Sequence, residues 1–185
     1  MAGKDWDALV RNVPTTPFEG DLKRCVAQLT FNRKNNYLFT SGKRNRCNPS
    51  GVFCIYMSED RSTALAEYDK YFTDLGDDQP MVLYTGFLRA AAIIDLGDPE
   101  ICKHFGLNDA DFFTAFRTKG ETNLEKLGAA ISRQTTVVRI RFPSDAQFVN
   151  GKNGFNLVIF RDSIATPDSL RIKGPEGNIL DDWPE

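Results

Sequence analysis

The alternation of apolar and polar positions predicts helices and strands mixed irregularly along the chain. Short apolar runs rich in β-branched and aromatic residues predict strands, and apolar residues at helical spacing predict helices. The predicted strands are residues 22–31, 52–57, 81–85, 87–95, 135–142, 156–160 and 169–172. The predicted helices are residues 98–105, 107–116, 122–132 and one that follows Ser58, with a short helix and an extended arm in residues 1–20.

Three local features refine these elements. Ser58 stands before two acidic residues and an apolar helical stripe, which predicts that it caps the N-terminus of the helix. Gly86 interrupts an apolar run, which predicts two strands, one on each side of it. Arg139 and Arg141 alternate with apolar residues, which predicts that they form the solvated face of a strand.

The order of the elements favours an α+β fold. Predicted strands follow one another closely and helices intervene irregularly, which is typical of a mixed, mostly antiparallel sheet rather than a doubly wound parallel one. No G-x-G-x-x-G follows a strand and no G-x-x-x-x-G-K-[ST] occurs, so neither phosphate-binding motif is present. We expect one domain over residues 21–173, an N-terminal arm over 1–20 and a C-terminal tail over 174–185.

Composition adds few restrictions. The chain has 185 residues, 41% of them hydrophobic, including 14 Phe, which is enough for one packed core. The net charge of −2 provides no general attraction for nucleic acid. The N-terminus lacks the pattern of a secretory signal, and no run approaches the roughly 18 apolar residues of a membrane span. We therefore expect a cytoplasmic protein without direct nucleic-acid or membrane binding.

The cysteines and the single histidine limit the possible chemistry. Four Cys occur without a C-x-x-C pair, and His104 is the only histidine, so no zinc ligand set is available. We expect reduced, buried thiols and a structural His104 on a short amphipathic helix. Catalysis, if the chain is an enzyme, then depends on carboxylates, arginines, tyrosines and hydroxyls, without a metal.

A basic loop, SGKRNRCNPSG, is the densest cluster of unusual residues. Arg44 and Arg46 suit bidentate recognition of phosphate. Gly42 and Gly51 allow backbone N–H groups to approach an anion. A solvated basic turn explains the same composition equally well, so the loop alone leaves both interpretations open.

The order of several short motifs resembles the RES domain, a family named for an arginine, a glutamate and a serine. The resemblance covers roughly residues 20–172. Its motifs are Leu22-Lys23-Arg24, Arg46-Cys47-Asn48-Pro49-Ser50-Gly51, Tyr56-Met57-Ser58, Thr63-Ala64-Leu65-Ala66-Glu67 and Arg141-Phe142-Pro143-Ser144. Further matches are Leu96-Gly97-Asp98-Pro99, Phe105-Gly106-Leu107, residues 122–128, Asn156-Leu157-Val158-Ile159-Phe160 and Pro167-Asp168.

The chain departs from the family pattern at two places. Cys47 stands where the family has an aromatic residue, and residues 161–168 lack the family's histidine. The early arginine of the family matches Arg24, with Arg33 as the alternative.

The resemblance implies an ADP-ribosyltransferase-like fold, with a split sheet flanked by helices, and cleavage of NAD, often by the toxin of a toxin–antitoxin pair. It implies that Glu67 stabilises the positive charge that develops on the ribose. Arg24 and Arg46 then contact the pyrophosphate, and Tyr56 and Tyr37 form flat walls. Ser144 either hydrogen-bonds the ribose or holds Glu67. Further NAD-binding residues are Arg44, Asn48 and Gly51.

Several functions remain open from the sequence. The first is a glycohydrolase or phosphorylase that transfers ADP-ribose from NAD to water or phosphate and so depletes the cell's NAD. A second is ADP-ribosylation of a protein. A third is a non-catalytic module that binds a nucleotide or an antitoxin. Partners include NAD, a cognate antitoxin over the cleft and a second copy of the chain. Taken one at a time, without the order of the motifs, these residues have simpler interpretations. Glu67 is then a solvated helix residue, Tyr56 a core tyrosine and Ser144 a turn residue.

Overall fold

A computed structural model describes residues 4–28, 42–75, 80–114, 120–134, 139–160 and 164–184, with the backbone only for residues 72–75. The helices are α1 (Trp6–Asn12), α2 (Arg61–Leu75), α3 (Pro99–Phe105), α4 (Asp109–Phe113), α5 (Asn123–Ser132) and α6 (Asp145–Val149). The strands are β1 (Thr16–Ala27), β2 (Cys54–Ser58), β3 (Met81–Asp95), β4 (Arg139–Pro143), β5 (Phe155–Phe160), β6 (Ser169–Lys173) and β7 (Ile179–Trp183). Within these residues, no helix is both long and apolar enough to cross a bilayer.

All seven described strands belong to one sheet, in the order β1-β2-β5-β4-β3-β6-β7. Only the β3–β4 pair is parallel among these strands. Strand β1 also pairs with β3 along almost its whole length, so the sheet curves back on itself. By contrast, β1 meets β2 at the single described register pair Lys23↔Ser58. The predicted α+β fold with a mostly antiparallel sheet is confirmed.

The curved sheet has apolar residues on both faces. Strands β2, β4 and β5 contribute one set of side chains to a core with α1, α3, α4 and α5, which includes Leu127 and Val158. The opposite set packs against β1, β3 and β6, and includes Leu22 and Ile159. Because β2, β4 and β5 are covered on both sides, a residue on either face of these strands lies close to packed side chains.

The structure changes the prediction for two strands. Strand β1 begins at Thr16, inside the segment predicted to be an extended arm. Strand β3 is continuous through Gly86, so the predicted division into two strands is wrong. A Cβ atom at Gly86 would lie 2.8 Å from Cε of Met57 and 3.2 Å from Cδ1 of Ile172, so this glycine marks close packing inside one strand.

Ser58 is not the helix cap. It is the last residue of β2, it is buried, and its Oγ donates to Oδ1 of Asn156 at 2.7 Å. Asp60 takes the capping position before α2 and accepts from the backbone N–H of Thr63 at 2.9 Å. Both residues have the oxygen that a cap requires, and the strand pairing of β2 with β5 determines which one is available.

The predicted solvated face of β4 is also wrong. The side chain of Arg139 is fully buried, and its Nη1 donates to Oδ2 of Asp168 at 2.6 Å. Burial lowers the pKa of Arg139, against the opposing influence of Asp168. Arg141 is partly buried and pairs with Glu59 and Asp95. The arginines of β4 alternate with apolar residues but do not form a solvated face, because other parts of the fold cover both faces of this strand.

The two ends of the chain contact the body of the fold. Helix α1 packs on α5, and Val10 is buried in the helix-side core. Strand β7 pairs with β6, with Leu170 opposite Trp183. The limits of a domain at residues 21–173 stay a prediction.

Candidate active site

Glu67 lies on α2 and contacts one residue that follows β4 and one residue of β5. Its Oε1 accepts two hydrogen bonds, from Oγ of Ser144 at 2.7 Å and from Nδ2 of Asn156 at 2.7 Å. No residue of the described ranges donates to Oε2. One oxygen of this carboxylate is therefore held by neutral donors, and the other accepts no hydrogen bond from the described residues.

Ser144 connects Glu67 to the start of α6. It follows β4 directly and caps α6, where its Oγ accepts from the backbone N–H of Gln147 at 3.1 Å. The same hydroxyl uses its proton for Glu67. Because Ser144 is 2% exposed, its orientation is fixed by these two partners. Ser144 is expected either to hydrogen-bond the ribose or to hold Glu67. The structure contains the hydrogen bond between Ser144 and Glu67.

Asn156 and Ser58 complete the carboxylate site, and neither is predicted as a site residue from the sequence. Asn156 is 6% exposed on β5, opposite Ser58 of β2 in the register. Its polar side chain points to the same face as the buried Val158. A polar residue at a buried position of an otherwise apolar strand was the available signal, since such groups need a partner.

The basic loop directs Arg46 towards protein acceptors. Its Nη2 donates to Oδ2 of Asp145 at 3.0 Å, and its Nη1 donates to the carbonyl of Phe112. Asp145 also accepts from Nζ of Lys70 at 2.6 Å. The side chains of Arg46 and Asp145 are each 13% exposed. Arg46 thus joins the loop to α6, next to Ser144, rather than presenting both edges of its guanidinium to solvent.

Arg44 is engaged in the same way. Its guanidinium forms a two-pronged pair with Glu125 of α5, with Nη2 2.7 Å from Oε2, and it also donates to the carbonyl of Gly120. Burial raises the pKa of Glu125, but the hydrogen bonds from Arg44 and Thr122 outweigh it and the net pKa is lowered. The loop arginines therefore anchor the loop to helices.

Asn48 is the centre of the loop. It is fully buried, and its Nδ2 donates to the carbonyls of Lys43, Pro49 and Val52 at 3.0–3.2 Å. Its Oδ1 accepts from the hydroxyl of Tyr56 at 2.8 Å. The amide is thus committed to the shape of the loop and has no donor left for a ligand.

Tyr56 points its hydroxyl into this loop. The hydroxyl accepts from the backbone N–H of Cys47 at 3.0 Å while donating to Asn48. Burial raises the pKa of Tyr56 well above its ordinary value, so the phenol stays protonated. Gly51, with φ of +89°, closes the turn and contributes its backbone N–H to the carbonyl of Gly42. Tyr37 and Arg33 lie outside the described residues.

Arg24 lies on β1, beside the gap where β1 leaves β2. Burial lowers its pKa to about 10, against the opposing influences of Cys54, Tyr84 and Tyr56. The guanidinium is therefore protonated at neutral pH. In the pairing of β1 with β2, Lys23 lies opposite Ser58, and Arg24 is the next residue along β1.

The histidine and the cysteines take structural positions. Nε2 of His104 lies 2.9 Å from the carbonyl of Leu9, which connects α3 to α1. All four cysteines are free thiols; Cys47 and Cys54 are buried, and Cys25 and Cys102 are half-buried. Burial raises the pKa of Cys25 to about 11, which keeps the thiol protonated. No group of three metal-ligating side chains occurs within the part of the chain that the structure describes.

A cleft of about 780 Å³ opens beside the start of α6. Its lining includes Pro143 and Ser144 together with the aromatic residues Phe112, Phe113, Phe148 and Phe155. The rings of Phe113 and Phe148 stack 3.8 Å apart. Glu67 does not line this cleft, so the cleft and Oε2 of Glu67 are distinct features that share Ser144 as a neighbour.

Comparisons with known proteins place the chain in a family. No curated protein sequence matches it. A solved structure, the crystal structure of the M. tuberculosis MbcT–MbcA toxin–antitoxin complex, contains a chain with the same fold. The match has a TM-score of 0.67 and 13% identity, and covers 97% of this chain and 91% of the other. The family model of the RES domain matches residues 22–182, and the chain therefore belongs to the RES domain family.

Proposed function

We propose that the protein cleaves NAD at the nicotinamide–ribose bond. The observation that carries this proposal is the Glu67 carboxylate, held at Oε1 by Ser144 and Asn156, with no described residue donating to Oε2. Nicotinamide leaves with the bonding electron pair and becomes neutral, while C1′ of the ribose gains positive charge. A fixed carboxylate beside C1′ stabilises that charge because it needs no reorganisation during the reaction.

Water or inorganic phosphate then completes the transfer. The nucleophile's oxygen bonds to C1′, and with water the displaced proton passes to solvent. The products are nicotinamide and ADP-ribose, or its 1″-phosphate when phosphate attacks. No metal is needed for either route, because nicotinamide leaves as a neutral molecule.

Arg24 is our candidate for the NAD pyrophosphate. Its guanidinium interacts with Cys54, Tyr84 and Tyr56 and carries a positive charge at neutral pH, which suits a pyrophosphate. The loop residues Arg44, Arg46, Asn48 and Gly51 instead form contacts within the protein. In this proposal they support the site indirectly, and the ring of Tyr56 contributes a wall rather than a proton donor.

Nicotinamide release by the purified protein tests the proposal. We expect the wild type to release nicotinamide from NAD, and Glu67→Gln to be at least about 100-fold slower, since the carboxylate charge is removed without a change of shape. Glu176→Gln, an exposed residue between β6 and β7, is the matched control and should retain full activity. Equal rates for wild type and Glu67→Gln would refute the role of Glu67.

The reaction products identify the group that accepts ADP-ribose. Free ADP-ribose or its phosphate ester indicates transfer to water or phosphate. Label retained on a protein after incubation with labelled NAD indicates protein modification instead. Calorimetric binding of NAD without any product would leave a binding module, the non-catalytic alternative.

We further propose that the protein is a toxin held inactive by an antitoxin. The solved structure with the same fold comes from a toxin–antitoxin complex, and the present chain shares the RES domain. Expression of the wild type in a host should lower the cellular NAD content and stop growth, whereas Glu67→Gln should do neither. Growth arrest with an unchanged NAD content would contradict the proposed mechanism.

A further inference from the structure

We infer that Asn156 is a positioning residue for Glu67 and that Ser58 sets the direction of its amide. The kinetic part of this inference rests on the proposed function. Its structural basis is a chain of three polar side chains, Ser58, Asn156 and Glu67, that ends on the carboxylate.

The direction of the chain follows from donor and acceptor chemistry. The Glu67 carboxylate only accepts when ionised, so the atom of Asn156 that lies 2.7 Å from Oε1 must be the amide nitrogen. The amide oxygen then faces Ser58, whose hydroxyl must donate across 2.7 Å. Ser58 and Asn156 are 4% and 6% exposed, so water does not readily replace either partner.

The fold makes these contacts rigid. Ser58 and Asn156 are directly opposite each other in the β2–β5 ladder, and Asn156 also lies opposite Phe142 of β4. A side chain on a central strand keeps its position better than one on a loop. With Ser144 as the second donor, Oε1 is held from two sides by residues at the ends of β4 and β5.

Asn156→Asp distinguishes a positioning role from a packing role. The variant has nearly the same shape and places a carboxylate oxygen against Oε1 of Glu67. When the two carboxylates share one proton, the introduced carboxyl group can donate to Glu67 as the amide did. When that proton leaves at higher pH, the two negative charges repel each other and Glu67 moves.

We therefore expect the variant and the wild type to respond differently to pH. The rate of nicotinamide release by Asn156→Asp, divided by the wild-type rate at the same pH, should fall as the pH is raised, because the introduced carboxyl group loses the proton through which it donates to Glu67. Asn178→Asp, an exposed residue between β6 and β7, makes the same chemical change away from the site and should keep the wild-type profile.

Two further variants measure the size of the effect. Asn156→Ala should lower kcat about 100-fold with less than about a 3-fold change in KM, because misplacement of a reacting group affects the transition state more than binding. Ser58→Ala should lower kcat by about 10-fold, because the amide of Asn156 can then turn its oxygen towards Glu67. Parallel pH profiles for Asn156→Asp and wild type, or wild-type kcat in Asn156→Ala, would overturn the inference.

A spectroscopic measurement separates this inference from the proposed function. One side-chain amide proton of Asn156 donates to a carboxylate and should resonate downfield in the NMR spectrum of the wild type. Glu67→Gln should move it upfield, whereas Glu176→Gln should not. If NAD is not cleaved but this shift occurs, the proposed function fails and the contact stands. If Glu67→Gln leaves the resonance unchanged, the positioning inference fails whatever the activity.

Discussion

The basic loop around residues 42–51 and the carboxylate site around Glu67 differ in how fully their polar groups are used. The loop has the denser charge, yet Arg44, Arg46 and Asn48 all bind acceptors of the protein itself. Glu67 is a single carboxylate on a helix, and one of its oxygens has no donor among the described residues. Charge density along the sequence therefore identifies a structural anchor here, while the oxygen that accepts no hydrogen bond from the described residues belongs to the less conspicuous Glu67.

The largest expected effect tests whether the loop must lie against α5. A Cβ atom at Gly128 would lie 1.7 Å from the backbone carbonyl of Cys47, and no side-chain rotation relieves contact with a main-chain atom. Gly128→Ala should lower the free energy of unfolding by about 3 kcal/mol, measured by urea denaturation. Gly120→Ala, with open space around its Cβ position, is the control and should change it by less than about 0.5 kcal/mol. Similar values for the two variants would show that the loop is not fixed in this position.

The next effect tests Arg46 as an anchor. Arg46→Met removes one of the two cations at Asp145 and should lower the free energy of unfolding by about 2 kcal/mol, less than for a carboxylate left wholly unpaired because Lys70 remains. Arg171→Met breaks an exposed pair with Asp182 and should cost at most about 0.5 kcal/mol. In NAD cleavage, Arg46→Met should lower kcat with little change in KM. A large rise in KM with unchanged stability would instead place Arg46 on the pyrophosphate.

The hydroxyl of Tyr56 forms hydrogen bonds with two residues of the basic loop, Cys47 and Asn48. Tyr56→Phe leaves the backbone N–H of Cys47 without its acceptor and removes a donor from Asn48. We expect a loss of about 1 to 2 kcal/mol in the free energy of unfolding. Tyr71→Phe, at a side chain that is 47% exposed, should have little effect. If Tyr56→Phe abolishes NAD cleavage without destabilising the fold, the hydroxyl acts on the substrate and the comparison must be revised.

The smallest expected effect is the change of stability with pH that comes from the ion pair between Arg44 and Glu125. Since the pKa of Glu125 is lowered in the folded protein, its contribution to stability is present above the ordinary glutamate value near 4.5 and is lost as the pH falls below it. The wild type should therefore lose more thermal stability than Glu125→Gln between about pH 5 and pH 3. Glu176→Gln should follow the wild type. Parallel curves for wild type and Glu125→Gln would mean that the pair with Arg44 adds nothing.

Much of the fold is predictable from local patterns. Helices α3 and α5 are predicted to within a residue, because Asp98 and Thr122 cap them and the apolar spacing is regular. Strands β5 and β6 follow from short apolar runs. The errors at Gly86, Ser58 and Arg139 have one origin, since each depends on what packs against the residue from a distant part of the chain.

The carboxylate site is predictable only in part. Glu67 and Ser144 follow from the order of the family's motifs, and the structure brings them within 2.7 Å across 77 positions of sequence. Asn156 and Ser58 are not predicted as site residues, and Ser58 is predicted as a helix cap, because an amide and a hydroxyl acquire a role at the site only from the partners that the β2–β5 register places beside them.

The sequence by itself determined the α+β class, the ends of α3 and α5, and Glu67 and Ser144 as candidate site residues, because capping, apolar spacing and motif order are local properties. The tertiary structure alone decided which of the polar groups are satisfied. Arg46 and Asp145 are 99 residues apart, and Arg44 and Glu125 are 81 apart, so no local pattern reports that these charges neutralise each other. That pairing turns the basic loop into an anchor and leaves Glu67 as the carboxylate whose Oε2 no described residue occupies.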